Sequence, residues 1–121
     1  MRSAYDHLRE GGIFIFDLNT EYKFKNIDPV TVDEVEDVFY IWENIFDGES
    51  KLNTYGVNFF RNTEDNNYKR FYEEHIERAY DLSYVKNILE EIGFCDIEVY
   101  DDYDFKEASD KTSRYTIIAR R

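Results

Sequence analysis

The chain has 121 residues, a length that suits one domain. Hydrophobic residues make up 42% and aromatics 18%, enough for a core, and the aromatics are mostly tyrosine (11) and phenylalanine (10), which favour strands. The formal net charge of −12 excludes nucleic-acid binding by bulk electrostatics, and the single Cys95 excludes an internal disulfide or a thiolate metal cluster. No apolar run approaches the length of a membrane span, and no apolar stretch follows Met1 to make a signal peptide. A soluble cytoplasmic protein is expected.

Residues 2 to 10 read as a short helix that stops at Gly11. Four apolar residues follow, Ile13 to Phe16, ending at Asp17 with Asn19 two residues on. An unbroken apolar run of this kind predicts a strand buried on both faces of a sheet. A carboxylate at the carboxyl end of such a strand stands where open α/β sheets bind ligands; Asp17 is equally able to cap the strand.

Residues 18 to 35 are expected to be a connector. Asn19-Thr20-Glu21 can cap a short helix through Tyr22 and Phe24, which Pro29 stops. The acidic run from Asp33 to Asp37 reads as a solvated face, because no His or Cys interleaves it. Val38 to Phe46, Leu52 to Arg61 and Tyr68 to Tyr80 then read as three strands joined by short polar turns, an antiparallel meander. A helix over 68–80 is the alternative, although it would scatter Tyr and Glu around all sides. Asp81 suits a helix N-cap, and Leu82, Val85, Ile88, Leu89 and Ile92 form one stripe before Gly93. Cys95 is expected as a buried, inert thiol. Ile97 and Val99 alternate with acidic residues in a strand, residues 101–113 should be a mobile loop, and Tyr115 to Ala119 forms a last strand.

Two of these segments carry a family resemblance. Leu8-Arg9-Glu10-Gly11-Gly12, the apolar strand, then Asp17 and Asn19, resembles the fifth strand of class I S-adenosylmethionine-dependent methyltransferases with the helix end before it. Tyr80-Asp81-Leu82-Ser83, the stripe, Ile92-Gly93-Phe94 and Ile97-Glu98-Val99-Tyr100 resemble the family's late helix and sixth strand, with residues 114–121 as the seventh. The resemblance implies an α/β fold (α+β as a fragment). Residues 1–20 and 81–121 would hold part of a doubly wound sheet, three strands with flanking helices. Residues 36–80 would be a three-stranded antiparallel insert on the substrate side.

The family builds its donor site from a Gly-rich turn after its first strand and an acidic residue ending its second. This chain has no such glycine cluster: its glycines are Gly11, Gly12, Gly48, Gly56 and Gly93. The resemblance therefore implies the carboxyl-terminal half of a methyltransferase, lacking the donor-binding half. S-adenosylmethionine would be the cofactor of the complete enzyme, bound weakly or not at all by this chain, with its contacts unassigned.

Methyl transfer from a sulfonium needs alignment and exclusion of water more than acid–base power. A carboxylate or His can take the acceptor's proton, and aromatic faces favour the sulfonium charge. On that reading Asp17 and His75 are the catalytic candidates, and Asn19, Tyr22, Trp42 and Arg78 the substrate-binding ones. Each has a plainer role open to it: core packing for Trp42, a solvated strand position for His75, an ion pair for Arg78. Two histidines in unlike contexts point to no metal site. The acceptor would be a small molecule or a protein, and the partner a second copy in a homodimer or a chain carrying the missing half. The competing reading is a non-catalytic small-ligand-binding or dimerisation module.

Overall fold

The computed structural model describes residues 1–121. It is a mixed α/β chain with two antiparallel four-stranded sheets. It divides into two compact units, Met1–Lys23 with Ala79–Arg121, and Phe24–Arg78.

In the first unit, α1 (Arg2–His7) leads into β1 (Ile13–Asn19), and the chain returns at α3 (Leu82–Ile92), β6 (Cys95–Asp101), β7 (Lys106–Glu107) and β8 (Arg114–Arg120). The strand order is β1-β8-β6-β7. Each neighbouring pair is antiparallel, with Phe16 opposite Ile117 and Val99 opposite Ile117 from the other side. So β1 and β6 run in the same direction but are not adjacent; β8 lies between them. Their carboxyl ends share one edge, where Asn19 is opposite Arg114 and Asp101 is opposite Tyr115.

The core follows from periodicity. α3 places Val85 and Leu89 on one stripe, and both are buried. They meet Ile117 and Ala119 of β8 and Phe94, with Phe14, Phe16 and Leu18 packed around them. Gly93 ends α3 with φ 124°, and its Cα lies so close to the Tyr5 ring that a Cβ would stand 2.8 Å from the hydroxyl. Asp81 stands at the N-cap position, but its side chain makes no cap hydrogen bond. Arg121 closes the unit: its guanidinium lies 4.4 Å from the Tyr5 ring centroid and donates to the carbonyls of Tyr5 and Leu8.

Several sequence expectations are corrected here. β1 is not buried on both faces: Phe14, Phe16 and Leu18 turn to the core, whereas Ile13 is 46% and Ile15 59% exposed. A run of four apolar residues cannot say which side of a strand is covered. Cys95 is exposed, not buried. It opens β6 beside a bulge, where Asp96 has φ 49°. The 101–113 segment is not all loop, since β7 pairs with Tyr100 and Asp101.

The second unit is an ordered meander, β2-β3-β4-β5. Its strands are β2 (Val30–Val35), β3 (Val38–Asp47), β4 (Leu52–Asn62) and β5 (Tyr68–Arg78). The expected connector before residue 36 thus holds a short helix, α2 (Glu21–Asn26), which straddles the unit boundary, and a fourth strand. Residues 68–78 are a strand, not a helix. Alternation gives the sheet two distinct faces. One carries Tyr40, Trp42, Tyr55, Val57, Phe59 and His75; the other carries Phe39, Ile41, Phe60, Tyr68, Tyr72 and Ile76. Phe24 is buried against Phe46, ring centroids 5.7 Å apart. No helix is long and apolar enough to cross a membrane.

One-sided burial of β1 has a measurable consequence. Leu89→Ala should destabilise the protein by ~2–5 kcal/mol, the cost of a large-to-small change in a closed core. Ile15→Thr should change stability by less than about 0.5 kcal/mol. Urea titration of the two variants separates them; a comparable loss for Ile15→Thr would mean that its face is covered in solution.

Candidate functional site

In the first unit the polar side chains converge where β1 and β6 end. Asp17 and Asn19 are two residues apart on β1 and so share the face opposite the core. Asp17 is opposite Thr116 and Asn19 is opposite Arg114. Arg114 Nη1 stands 3.9 Å from Asp17 Oδ2, a long, partly exposed pair worth ~0–1 kcal/mol at most. The Tyr103 hydroxyl, from the loop between β6 and β7, donates to Asp17 Oδ2. That hydrogen bond, some desolvation and the carboxylate charge push the Tyr103 phenol above its ordinary value, while Arg114 pulls the other way. At neutral pH the Tyr103 phenol therefore keeps its proton and stays a donor to Asp17.

Thr116 completes this row between Asp17 and Tyr100. It is buried, and its Oγ1 has no hydrogen-bond partner in the protein. A buried hydroxyl left this way costs free energy unless something satisfies it. Thr20 anchors the end of β1. Its Oγ1 donates to the Thr112 carbonyl at 2.6 Å and accepts from Lys23 N at 3.1 Å, capping α2. Lys23 Nζ donates to Asn19 Oδ1 at 3.0 Å.

In the second unit, Trp42 stacks on Tyr55 with ring centroids 5.1 Å apart, and Tyr55 lies 5.3 Å from His75. The Trp42 Nε1 donates to Asn44 Oδ1 at 3.2 Å. The Tyr55 hydroxyl donates to Glu77 Oε1 at 3.3 Å; burial, then the Glu77 charge, pushes that phenol up. His75 Nε2 is 3.7 Å from Glu73 Oε2, with both side chains more than half exposed.

The predicted residues therefore fall into separate groups. Asp17 and Asn19 are brought together on one sheet face of the first unit. Tyr22 lies in α2. Trp42 and His75 are brought together through Tyr55 in the second unit. Arg78 does not join them, because it alternates to the other face of β5. Sequence reasoning passed over Arg114, Tyr103, Thr116 and Lys23. The first and third become visible only through the β1–β8 register, and Tyr103 sits in a segment read as loop.

No protein-family model matches the chain. It is 27% identical over 119 residues to a provisionally named methyltransferase of Geobacillus sp. strain WCH70, covering 97% of this chain and 48% of that protein. Its fold superposes with a TM-score of 0.82 on an S-adenosylmethionine-dependent methyltransferase from Clostridium acetobutylicum. That protein is 34% identical, with 98% of this chain and 48% of the other covered. It also superposes with a TM-score of 0.70 on CalS10 with S-adenosylmethionine bound, an amino pentose methyltransferase from Micromonospora echinaspora. There the identity is 10%, a likeness of fold alone, over 99% of this chain and 48% of the other. The chain thus spans about half the length of the relatives it matches, and it is methyltransferase-like from one end to the other.

The Tyr103–Asp17 contact sets a pH dependence. A phenol whose folded value is raised contributes stability that is fully present below the ordinary tyrosine value of about 10 and is lost as pH rises through the raised value. In Asp17→Asn the acceptor loses its charge, so Tyr103 should titrate earlier than in the parent. NMR titration of ring-labelled tyrosine checks this; an unchanged Tyr103 titration would show that the contact is not formed in solution.

Proposed function

We propose that this methyltransferase-like chain is the acceptor-binding half of an S-adenosylmethionine-dependent methyltransferase and is incomplete for catalysis by itself. The observation that carries the reading is the β1-β8-β6 arrangement, with Asp17 and Asn19 at its carboxyl edge, in a chain 34% identical to an S-adenosylmethionine-dependent methyltransferase. Ligands of open α/β sheets bind at that edge.

The residues present do not build a cradle for the donor. Gly11 and Gly12 make the turn before β1, Gly93 ends a helix against Tyr5, Gly56 lies under Tyr72, and Gly48 belongs to a turn, so no two turns combine into a Gly-rich loop. The donor, when bound to a complete enzyme, supplies an electrophilic methyl group on a positively charged sulfur. What this chain contributes is the acceptor side. Arg114 offers donors to an acceptor's polar groups, and Asn19 offers an amide. Asp17 is the group able to take a proton from an amine or hydroxyl, once Tyr103 yields its hydrogen bond. His75, tied to Glu73 in the other unit, has the weaker claim. The acidic surface favours a small-molecule or protein acceptor over a nucleic acid.

The same reading supplies a partner. β1 is a sheet edge with an exposed apolar face, and an edge of that kind recruits another strand. A homodimer, or association with a chain carrying donor-binding elements, would cover it.

Isothermal titration of the purified chain with S-adenosylhomocysteine tests the central claim. The expected result is no binding, or binding too weak to saturate. Saturable tight binding would place the donor site within these residues and overturn the reading.

A further inference from the structure

We propose that the second unit carries an organic-cation site of its own, in the hollow formed by Glu34, Phe39, Ile41, Phe60 and Tyr68, with a methylated ammonium headgroup as its ligand class. This inference does not depend on the methyl-transfer reading. The hollow is about 390 Å³, within the range of small-ligand sites. Its lining comes from one sheet face. Glu34 is opposite Phe39, and Phe39 is opposite Phe60, so a carboxylate and two rings stand in one row across β2, β3 and β4. The two rings are 5.8 Å apart and tilted by 41°. Tyr68 adds a third aromatic surface from β5.

The charges at this end of the sheet decide what the hollow prefers. Three cations lie nearby in sequence or register, and each is engaged elsewhere. Arg61 is on the opposite face, 4.0 Å from Asp37. Lys69 is on the opposite face, 5.5 Å from the Phe71 centroid. Arg70 follows Phe60 in the same row, but its Nε donates to Asn58 Oδ1 at 2.7 Å and its guanidinium lies over Tyr72. The Glu34 carboxylate has no cationic partner, and it lines the same hollow as aromatic rings whose faces carry negative quadrupoles. Such a set attracts a bulky, weakly hydrated cation and repels an anion. A compact ammonium would lose more hydration than the apolar walls return, which favours the methylated form.

Choline and its neutral tert-butyl isostere, titrated separately into the full-length chain and followed by NMR, test the assignment. Choline should shift the Phe39, Phe60 and Tyr68 signals, and the isostere should bind at least about twofold more weakly. Glu34→Gln and Tyr68→Leu, both at exposed positions, should each weaken choline binding about two- to fivefold, whereas Glu90→Gln on α3 should leave it unchanged. Equal binding of the isostere would reduce the hollow to an apolar patch. Equal losses in Glu34→Gln and Glu90→Gln would show attraction to bulk charge alone. Unmoved signals in the folded protein would remove the site.

Discussion

The first unit depends on Leu89 and Ile117, both fully buried, meeting between α3 and β8. β8 comes from the far end of the chain, yet it pairs with β1 on one side and β6 on the other. Without it, β1 and β6 would be two separate ribbons, each too small to close a core. The helix that covers them has one apolar stripe and so can close one face only. From that limit follow the tight Gly93 turn, which swings the chain from α3 into β6, and the Arg121 clamp onto the carbonyls of Tyr5 and Leu8. The other face of the sheet is left for something else, and the polar row of Asp17, Thr116 and Arg114 stands on it.

What could be read from sequence follows from how local each signal is. α3 was legible because its stripe repeats at helical spacing and Gly93 stops it. The meander strands were legible because their turns are polar and short. β2 was not, because Thr31-Val32-Asp33-Glu34-Val35 is exposed along its whole length and its acidic residues look like a loop. An edge strand solvated on both sides has no buried periodicity to report. The site divides in the same way. Asp17 and Asn19 announce themselves at the end of an apolar run. Arg114 and Thr116 depend on a pairing across almost a hundred residues of sequence, which no local pattern encodes. Arg78 and His75 stand at an even and an odd position of β5, and strand alternation alone turns them to opposite faces.

The edges of the two sheets show where the unsatisfied surface lies. β7 ends the first sheet with Lys106 and Glu107, and it is only two residues long. β2 ends the second sheet with Asp33 and Glu34, and β5 ends it on the other side with Lys69, Arg70, Glu73 and Glu74. Short length and charge are the usual ways of keeping an edge from pairing with a stranger. β1 has neither. Its first four residues are Ile13, Phe14, Ile15 and Phe16, and no charge appears before Asp17.

That contrast bears on function as well as on assembly. Ile13 and Ile15 share their exposed face with Asp17, so anything laid on the apolar half of β1 would come up against the carboxylate at its end. A covering layer would exclude water from the Asp17–Arg114–Tyr103 group and strengthen each of those interactions, which are weak while half exposed. β1 thus sets a bare apolar stretch and a half-exposed carboxylate in succession on one face of a sheet edge.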